Sequence, residues 1–82
     1  MPRIISVMSL DGYRLEIVFS DGVRGLIPLE DRLFGPVFEP LRDVATFRQV
    51  TVDEYGAVCW PNGADLAPDA LYEQIREAQN VA

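Results

Sequence analysis

The stretch that decides the fold is Tyr13-Arg14-Leu15-Glu16-Ile17-Val18-Phe19-Ser20-Asp21-Gly22. Apolar and polar residues alternate along it, with Val18 as the exception, and this period of two is typical of a strand with one buried face. Asp-Gly pairs at 11–12 and 21–22 favour tight turns at both ends, and Asp11-Gly12 suits a type I′ turn with two positive φ angles. We therefore predict a central strand over 13–19 between antiparallel strands near 4–10 and 23–27, with Pro28 ending the third strand.

The middle of the chain is predicted to be irregular. Gly35-Pro36 and Glu39-Pro40 interrupt regular structure. Short helical turns are expected over 29–33 and over 44–47, the second capped by the Asp43 carboxylate. The loop contains four large apolar residues, Phe34, Val37, Phe38 and Leu41. Their presence predicts that the loop packs onto the core as a lid.

A second hairpin and a helix follow. Alternation predicts strands near 48–52 and 57–60 around a turn at 53–56, and Pro61-Asn62-Gly63 ends the later strand. Pro68 suits the first position of a helix, and apolar residues recur at helical spacing after it, so we predict a helix near 68–79. The predicted fold class is α+β in one domain over residues 1–82: a three-stranded antiparallel meander, an irregular middle loop with a short helical turn, a second β-hairpin and a C-terminal helix.

The charge balance narrows the range of partners. The sequence has seven arginines and 13 acidic residues, for a net charge of −6. This balance disfavours autonomous nucleic-acid binding and attraction to anionic membranes, and it suits a small basic protein partner. Because no apolar run approaches the ~20 residues of a membrane span, no signal peptide is apparent and Cys59 is the single cysteine, we expect a cytoplasmic protein.

Few residues can carry catalysis. The chain has no histidine, which excludes Ser-His-Asp and Cys-His arrangements and, with one cysteine, a structural zinc site. We therefore predict no catalytic residue, no metal and no cofactor, and we interpret Cys59 as a small buried apolar residue. The open alternative is a carboxylate-based small-molecule or metal-dependent enzyme. It needs at least two of four side chains in one cleft, namely Glu39, Asp53, Glu54 and Asp65.

Two segments, 35–43 and 60–68, are richer than ordinary loops. Each combines prolines, an aromatic residue and short polar side chains. Because Trp and Arg concentrate binding energy at interfaces, we predict a partner-binding surface of Arg42, Trp60, Asn62 and Asp65. The alternative is that these residues only shape the loops and the start of the helix, with Asn62 and Asp65 bonding nearby backbone.

With Asp21-Gly22, residues 47–52 and Leu71-Tyr72, these segments make the chain resemble a bacterial family, domain-of-unknown-function family 2442. The run from Trp60 to Asp65 is the specific part of a likeness that extends roughly from Ile4 to Tyr72. The resemblance implies a small α+β domain with an antiparallel sheet, no established enzyme activity, and partnership with small neighbouring proteins in toxin–antitoxin pairs.

We therefore predict a non-enzymatic protein-interaction module, antitoxin-like toward a small neighbouring protein. A second alternative is a self-assembling structural domain. Homo-oligomers would then form through exposed edge strands, which pair readily across a two-fold axis.

Overall fold

The computed structural model describes residues 2–79, and its first three strands form the expected antiparallel meander. β1 (Ile4–Leu10), β2 (Arg14–Phe19) and β3 (Arg24–Pro28) pair in the order β1-β2-β3. The alternation along β2 is confirmed, because Leu15, Ile17 and Phe19 are fully buried. Pro28 ends β3 as predicted, although it is itself the last paired residue, opposite Arg14, at an edge where proline is tolerated.

Three hairpin turns share one backbone geometry. In each, the first residue donates its N–H to the carbonyl four residues on, and the glycine three residues on donates back to the first carbonyl. The three turns are Phe19–Val23, Asp53–Ala57 and Trp60–Ala64. Their glycines have φ of 90°, 83° and 93°, the left-handed region that completes a three-residue hairpin loop without a Cβ clash.

The turn between β1 and β2 differs from the predicted one. Its positive φ angles fall on Gly12 (80°) and Tyr13 (57°) rather than on Asp11 and Gly12. Tyr13 thus belongs to the turn instead of opening β2. Its ring packs edge-on against Phe47, with centroids 5.4 Å apart, and its hydroxyl donates to the Arg42 carbonyl oxygen. These contacts hold a bulky residue in a sparsely populated backbone conformation.

The middle segment is more helical than expected. Its elements are a 3₁₀ turn at Glu30–Arg32, α1 (Gly35–Phe38), a second 3₁₀ turn at Glu39–Arg42 and α2 (Val44–Phe47). Pro36 and Pro40 begin helical turns because a first-turn residue has no intrahelical N–H bond to lose. Asp43 does not cap α2 with its carboxylate, which accepts instead from the Thr46 hydroxyl at 2.8 Å.

The second hairpin is part of a three-stranded sheet. β4 (Thr51–Val52), β5 (Val58–Cys59) and β6 (Asp65–Leu66) pair in the order β4-β5-β6. The prediction of a strand from residue 48 was wrong, because the N–H groups of 48–50 donate to carbonyls of α2 and close its last turn. β6 was not predicted: Pro61-Asn62-Gly63 turns the chain into this further strand.

The C-terminal helix, α3 (Pro68–Gln79), confirms the expected range and closes the core. Ile75 packs on Gly25, where an added Cβ would lie 2.8 Å from Ile75 Cγ2. Leu71 and Ile75 join one buried cluster that also contains residues of both sheets. Within residues 2–79, no helix has the length and apolar character needed to cross a membrane.

Candidate interaction surface

The two segments singled out in the sequence meet in the structure. The Phe38 and Trp60 rings pack edge-on with centroids 6.5 Å apart. Asn62 lies 25 residues from Val37 and donates from Nδ2 to the Val37 carbonyl oxygen at 2.8 Å. The turn between β5 and β6 therefore holds α1 in place through the Trp60 ring and the Asn62 amide.

Trp60 is a core residue rather than a surface one. Its side chain is 3% exposed, and the indole Nε1 donates to the Phe47 carbonyl oxygen at 2.9 Å. The Phe47 ring lies against the indole with centroids 6.0 Å apart. The interpretation of Trp60 as a partner contact is therefore corrected: it supports the neighbouring surface from beneath.

Asn62 uses both ends of its amide. Besides the bond from Nδ2 to Val37, its Oδ1 accepts from the Ala64 N–H at 3.2 Å. An aspartate in this position could accept but not donate, so the amide is what allows one side chain to shape its turn and to tether α1. The side chain is exposed, which leaves it at the surface beside Val37.

Arg42 and Asp65 lie in separate settings. The Arg42 guanidinium donates from Nε to the Leu33 carbonyl oxygen at 2.6 Å, which fixes the chain on either side of α1. Asp65 pairs with Cys59 across β5 and β6, and so faces outward on the side of the sheet opposite buried Val58. Of the four predicted contact residues, Arg42, Asn62 and Asp65 are therefore exposed and Trp60 is buried.

Cys59 is half-buried rather than buried. Its Sγ lies 3.5 Å from the Thr51 hydroxyl on the outward face of the second sheet.

The exposure of two apolar side chains was not predicted from the sequence. Phe34 is 67% exposed and Val37 is 43% exposed, although both were expected to pack inward as part of a lid. Leu41 is buried and Phe38 is half-buried, as that expectation required. Helical spacing could not have separated the pairs, since 34, 37, 38 and 41 fall at i, i+3, i+4 and i+7, which share one side of a continuous helix. The structure breaks this segment into α1 and a 3₁₀ turn, with Phe34 before α1. We call Phe34, Val37 and Asn62 the Phe34 surface.

Among the acidic residues considered for catalysis, Asp53 has a structural role. The Asp53 carboxylate accepts from the N–H groups of Tyr55 and Ala57 at 2.8 and 3.0 Å, and this fixes the β4–β5 turn. No group of three or more acidic or cysteine side chains in residues 2–79 is arranged to hold a metal ion.

A shallow pocket of about 60 Å³ lies between the first turn and α2. Its main lining residues are Leu10, Tyr13, Val44, Phe47 and Arg48. None of the four carboxylates proposed for catalysis lines it.

The perturbed ionisable groups lie where α3 meets the β2–β3 turn. The Tyr72 hydroxyl donates to the Asp21 carboxylate at 2.7 Å. This bond, helped by the Val23 N–H, lowers the pKa of Asp21, and the same bond raises the pKa of Tyr72. These groups hold the helix and do not belong to the Phe34 surface.

A family model for "Protein of unknown function (DUF2442)" matches residues 4–77. The chain belongs to the DUF2442 family. In this DUF2442 protein the match spans all six strands, the loops of the Phe34 surface and most of α3. No curated protein and no solved structure matches it significantly.

Proposed function

We propose that this DUF2442 protein is a small interaction module without a catalytic role, which binds a small basic protein through the Phe34 surface. The observation that carries the proposal is the exposure of Phe34 at 67% on a rigidly held segment. Aromatic side chains in fixed positions are frequent anchors at protein interfaces.

The rigidity of the segment comes from bonds on both sides. Asn62 holds the Val37 carbonyl and Arg42 holds the Leu33 carbonyl, so Phe34 lies between two tethered residues. The Phe38 and Trp60 rings support α1 from the core side. A surface ordered before binding loses less conformational entropy on association, which favours affinity.

Charge around the Phe34 surface favours a basic partner. The same segment carries four exposed acidic residues, which are Glu30, Asp31, Glu39 and Asp43. Its two arginines are engaged within the chain, because Arg32 donates to Gln74 and Arg42 donates to Leu33. We infer a partner that presents an apolar side chain ringed by Lys or Arg, in the manner of a small toxin held by its antitoxin. We assign this pairing to the cytoplasm.

The test is a binding measurement with the product of the adjacent gene. Isothermal titration should give a complex with the unaltered chain, and Phe34→Ser with Val37→Ser should weaken it at least tenfold. Tyr55→Ser is the matched control, because Tyr55 is also an exposed aromatic residue, at 84%, but lies in the β4–β5 turn. Thermal unfolding should be little changed in either variant, since the replaced side chains are exposed.

Two results would overturn the proposal: a neighbour that does not bind, or equal binding by the Phe34 variant and the unaltered chain. The antitoxin form of the proposal has a further requirement. Growth inhibition by the neighbour must be relieved by the unaltered chain and not by the Phe34→Ser, Val37→Ser variant.

A further inference from the structure

The first sheet leaves one face open. Residues paired directly across strands share a face, so the rows Leu10–Arg14–Pro28, Met8–Glu16–Leu26 and Ser6–Val18–Arg24 form the outer side. The inner side carries the buried Leu15, Ile17 and Ile27. We call the nine outer residues the outer face; none of them is buried by the described part of the chain.

This outer face is more apolar than a solvated face requires. Met8 is 54% exposed and Leu26 is 50% exposed, and they flank Glu16 in the same row. Ile5, at the irregularity in the β1 register, is 64% exposed at the edge of the face. Large apolar side chains exposed on one sheet face, with charged residues among them, favour association.

We propose that the outer face is a homodimer interface in which two copies stack sheet on sheet across a two-fold axis. The charges along β2 select a second copy as the occupant. Arg14 and Glu16 are successive outer residues of the central strand, with opposite charge. Arg14 donates from Nε to the Asp11 carbonyl oxygen at 2.8 Å, so its two terminal nitrogens are the atoms that would contact a second copy. A two-fold axis that crosses β2 between them places each Arg14 opposite the other copy's Glu16, as an isologous interface requires.

The same axis also aligns the apolar residues. A rotation about this axis places the Leu10–Arg14–Pro28 row of one copy over the Met8–Glu16–Leu26 row of the other, with each strand over its own counterpart. Met8 then lies opposite the partner copy's Leu10, and Leu26 lies opposite the partner copy's Pro28. Glu16 already lies 3.6 Å from the Arg24 guanidinium, so it would bridge an arginine of each copy. The outer face holds two arginines and one acidic residue, so this approach avoids the acidic surface of a chain with net charge −6.

Face stacking is favoured over the edge pairing considered as an alternative from the sequence, because the edge of β3 is partly blocked. Phe19 donates to the Val23 carbonyl, and the alternation of bonded pairs then directs the backbone groups of Arg24, Leu26 and Pro28 away from β2. Pro28 has no N–H to offer, and the Arg24 carbonyl accepts from the Gln79 amide at 2.9 Å. The other edge strand, β1, runs beside β4.

The size of the outer face sets the strength of the dimer. The axis overlaps two of the three rows, about 14 Å along the strands by about 14 Å across them, so two stacked faces with their side chains bury on the order of 600 Å². This area lies below that of stable specific interfaces, which predicts a weak dimer that dissociates at roughly 0.1–1 mM.

The test is a charge exchange followed by sedimentation equilibrium. Arg14→Glu places two acidic residues opposite each other, and Glu16→Arg places two arginines opposite each other, so each variant should associate at least tenfold more weakly than the unaltered chain. Mixed together, the two variants should form a heterodimer, because both contacts then join opposite charges. Glu54→Arg and Arg48→Glu are controls with the same charge changes at exposed positions off the outer face.

Circular dichroism and thermal unfolding establish that each variant is folded before the comparison. A chain that stays monomeric to about 1 mM would overturn the proposal. So would a dimer whose affinity the two single variants leave unchanged, or two weakened variants that fail to associate when mixed. Association that Met8→Glu leaves intact would likewise place the interface elsewhere.

Discussion

At the scale of single residues, Trp60 bears more of the fold than any exposed aromatic side chain. It is buried, it packs against Phe38 and Phe47, and its indole N–H donates to the Phe47 carbonyl oxygen. We expect Trp60→Ala to lower the free energy of unfolding by about 3–5 kcal/mol, the cost of removing a large aromatic side chain from a core. Urea or guanidinium denaturation followed by circular dichroism measures this loss.

Two companion variants separate packing from hydrogen bonding. Trp60→Phe keeps a ring but removes the indole donor, which leaves the Phe47 carbonyl with only the longer bond from the Val50 N–H at 3.4 Å, so the lost hydrogen bond should cost about 0.5–1.5 kcal/mol. Tyr55→Ala, at a side chain 84% exposed, should change stability by no more than about 0.5 kcal/mol. A loss below ~1 kcal/mol for Trp60→Ala would contradict its assignment to the core.

At the scale of elements, α3 packs tightly against β3 at Gly25. Gly25 has no positive φ, so its role is to leave room for Ile75, whose Cγ2 would lie 2.8 Å from an added Cβ. Gly25→Ala should therefore cost about 1–3 kcal/mol by pushing the helix off the sheet. Chemical denaturation of the single and double variants measures it.

A double-mutant cycle identifies the cause. Ile75→Ala alone should cost about 2–5 kcal/mol by leaving a cavity, but it removes both atoms that crowd residue 25. The double variant should then lose less than the two single losses together, by about 1 kcal/mol. Ile75→Val keeps two Cγ atoms and should give no such relief. Strict additivity for the Ile75→Ala pair would show that the crowding is not the cause.

The sequence predicted the elements that show a periodic pattern of apolar residues or a characteristic residue at the start of the element. Alternation identified β2, and a proline followed by helical spacing identified α3. β6 was missed because two residues are too short to show a period. Its signal was the spacing of the turn instead, since Trp60 to Ala64 repeats the glycine position of Phe19 to Val23.

Exposure at the Phe34 surface was harder to foresee than the elements around it. Phe34 and Phe38 are the same residue type in one segment, yet the first is exposed and the second is half-buried. Their difference depends on where the short helical turns begin, and that is fixed by tethers from distant residues such as Asn62. Composition singled out the segment, but only the tertiary bonds decide which of its side chains reach solvent.

At the scale of the whole molecule, α3 packs against the turn between β2 and β3, which lies early in the sequence. Tyr72 donates to Asp21 across 51 residues, and its ring lies edge-on to Phe19 with centroids 4.8 Å apart. Because this one bond lowers the pKa of Asp21 and raises the pKa of Tyr72, the closure of the fold depends on pH at both extremes.

The sign follows from proton linkage. Folded Asp21 holds its proton less tightly than unfolded Asp21, so its contribution to stability is complete above about pH 4 and is lost as pH falls through its lowered pKa. Folded Tyr72 holds its proton more tightly, so its contribution is complete below about pH 10 and is lost as pH rises through its raised pKa. Between these limits the contact stabilises the fold fully.

Thermal unfolding of the unaltered chain and of Tyr72→Phe, measured from pH 2 to pH 11, tests this closure. The melting temperature of Tyr72→Phe should lie below that of the unaltered chain by a constant amount between about pH 5 and pH 9, and the gap should narrow beyond both limits. Part of the acid-limb dependence should survive in Tyr72→Phe, because the Val23 N–H still donates to Asp21 at 3.0 Å. Tyr55→Phe removes a hydroxyl that does not contact Asp21 and should leave the pH profile unaltered. A gap that stays constant across the whole range would show that α3 is held by packing alone.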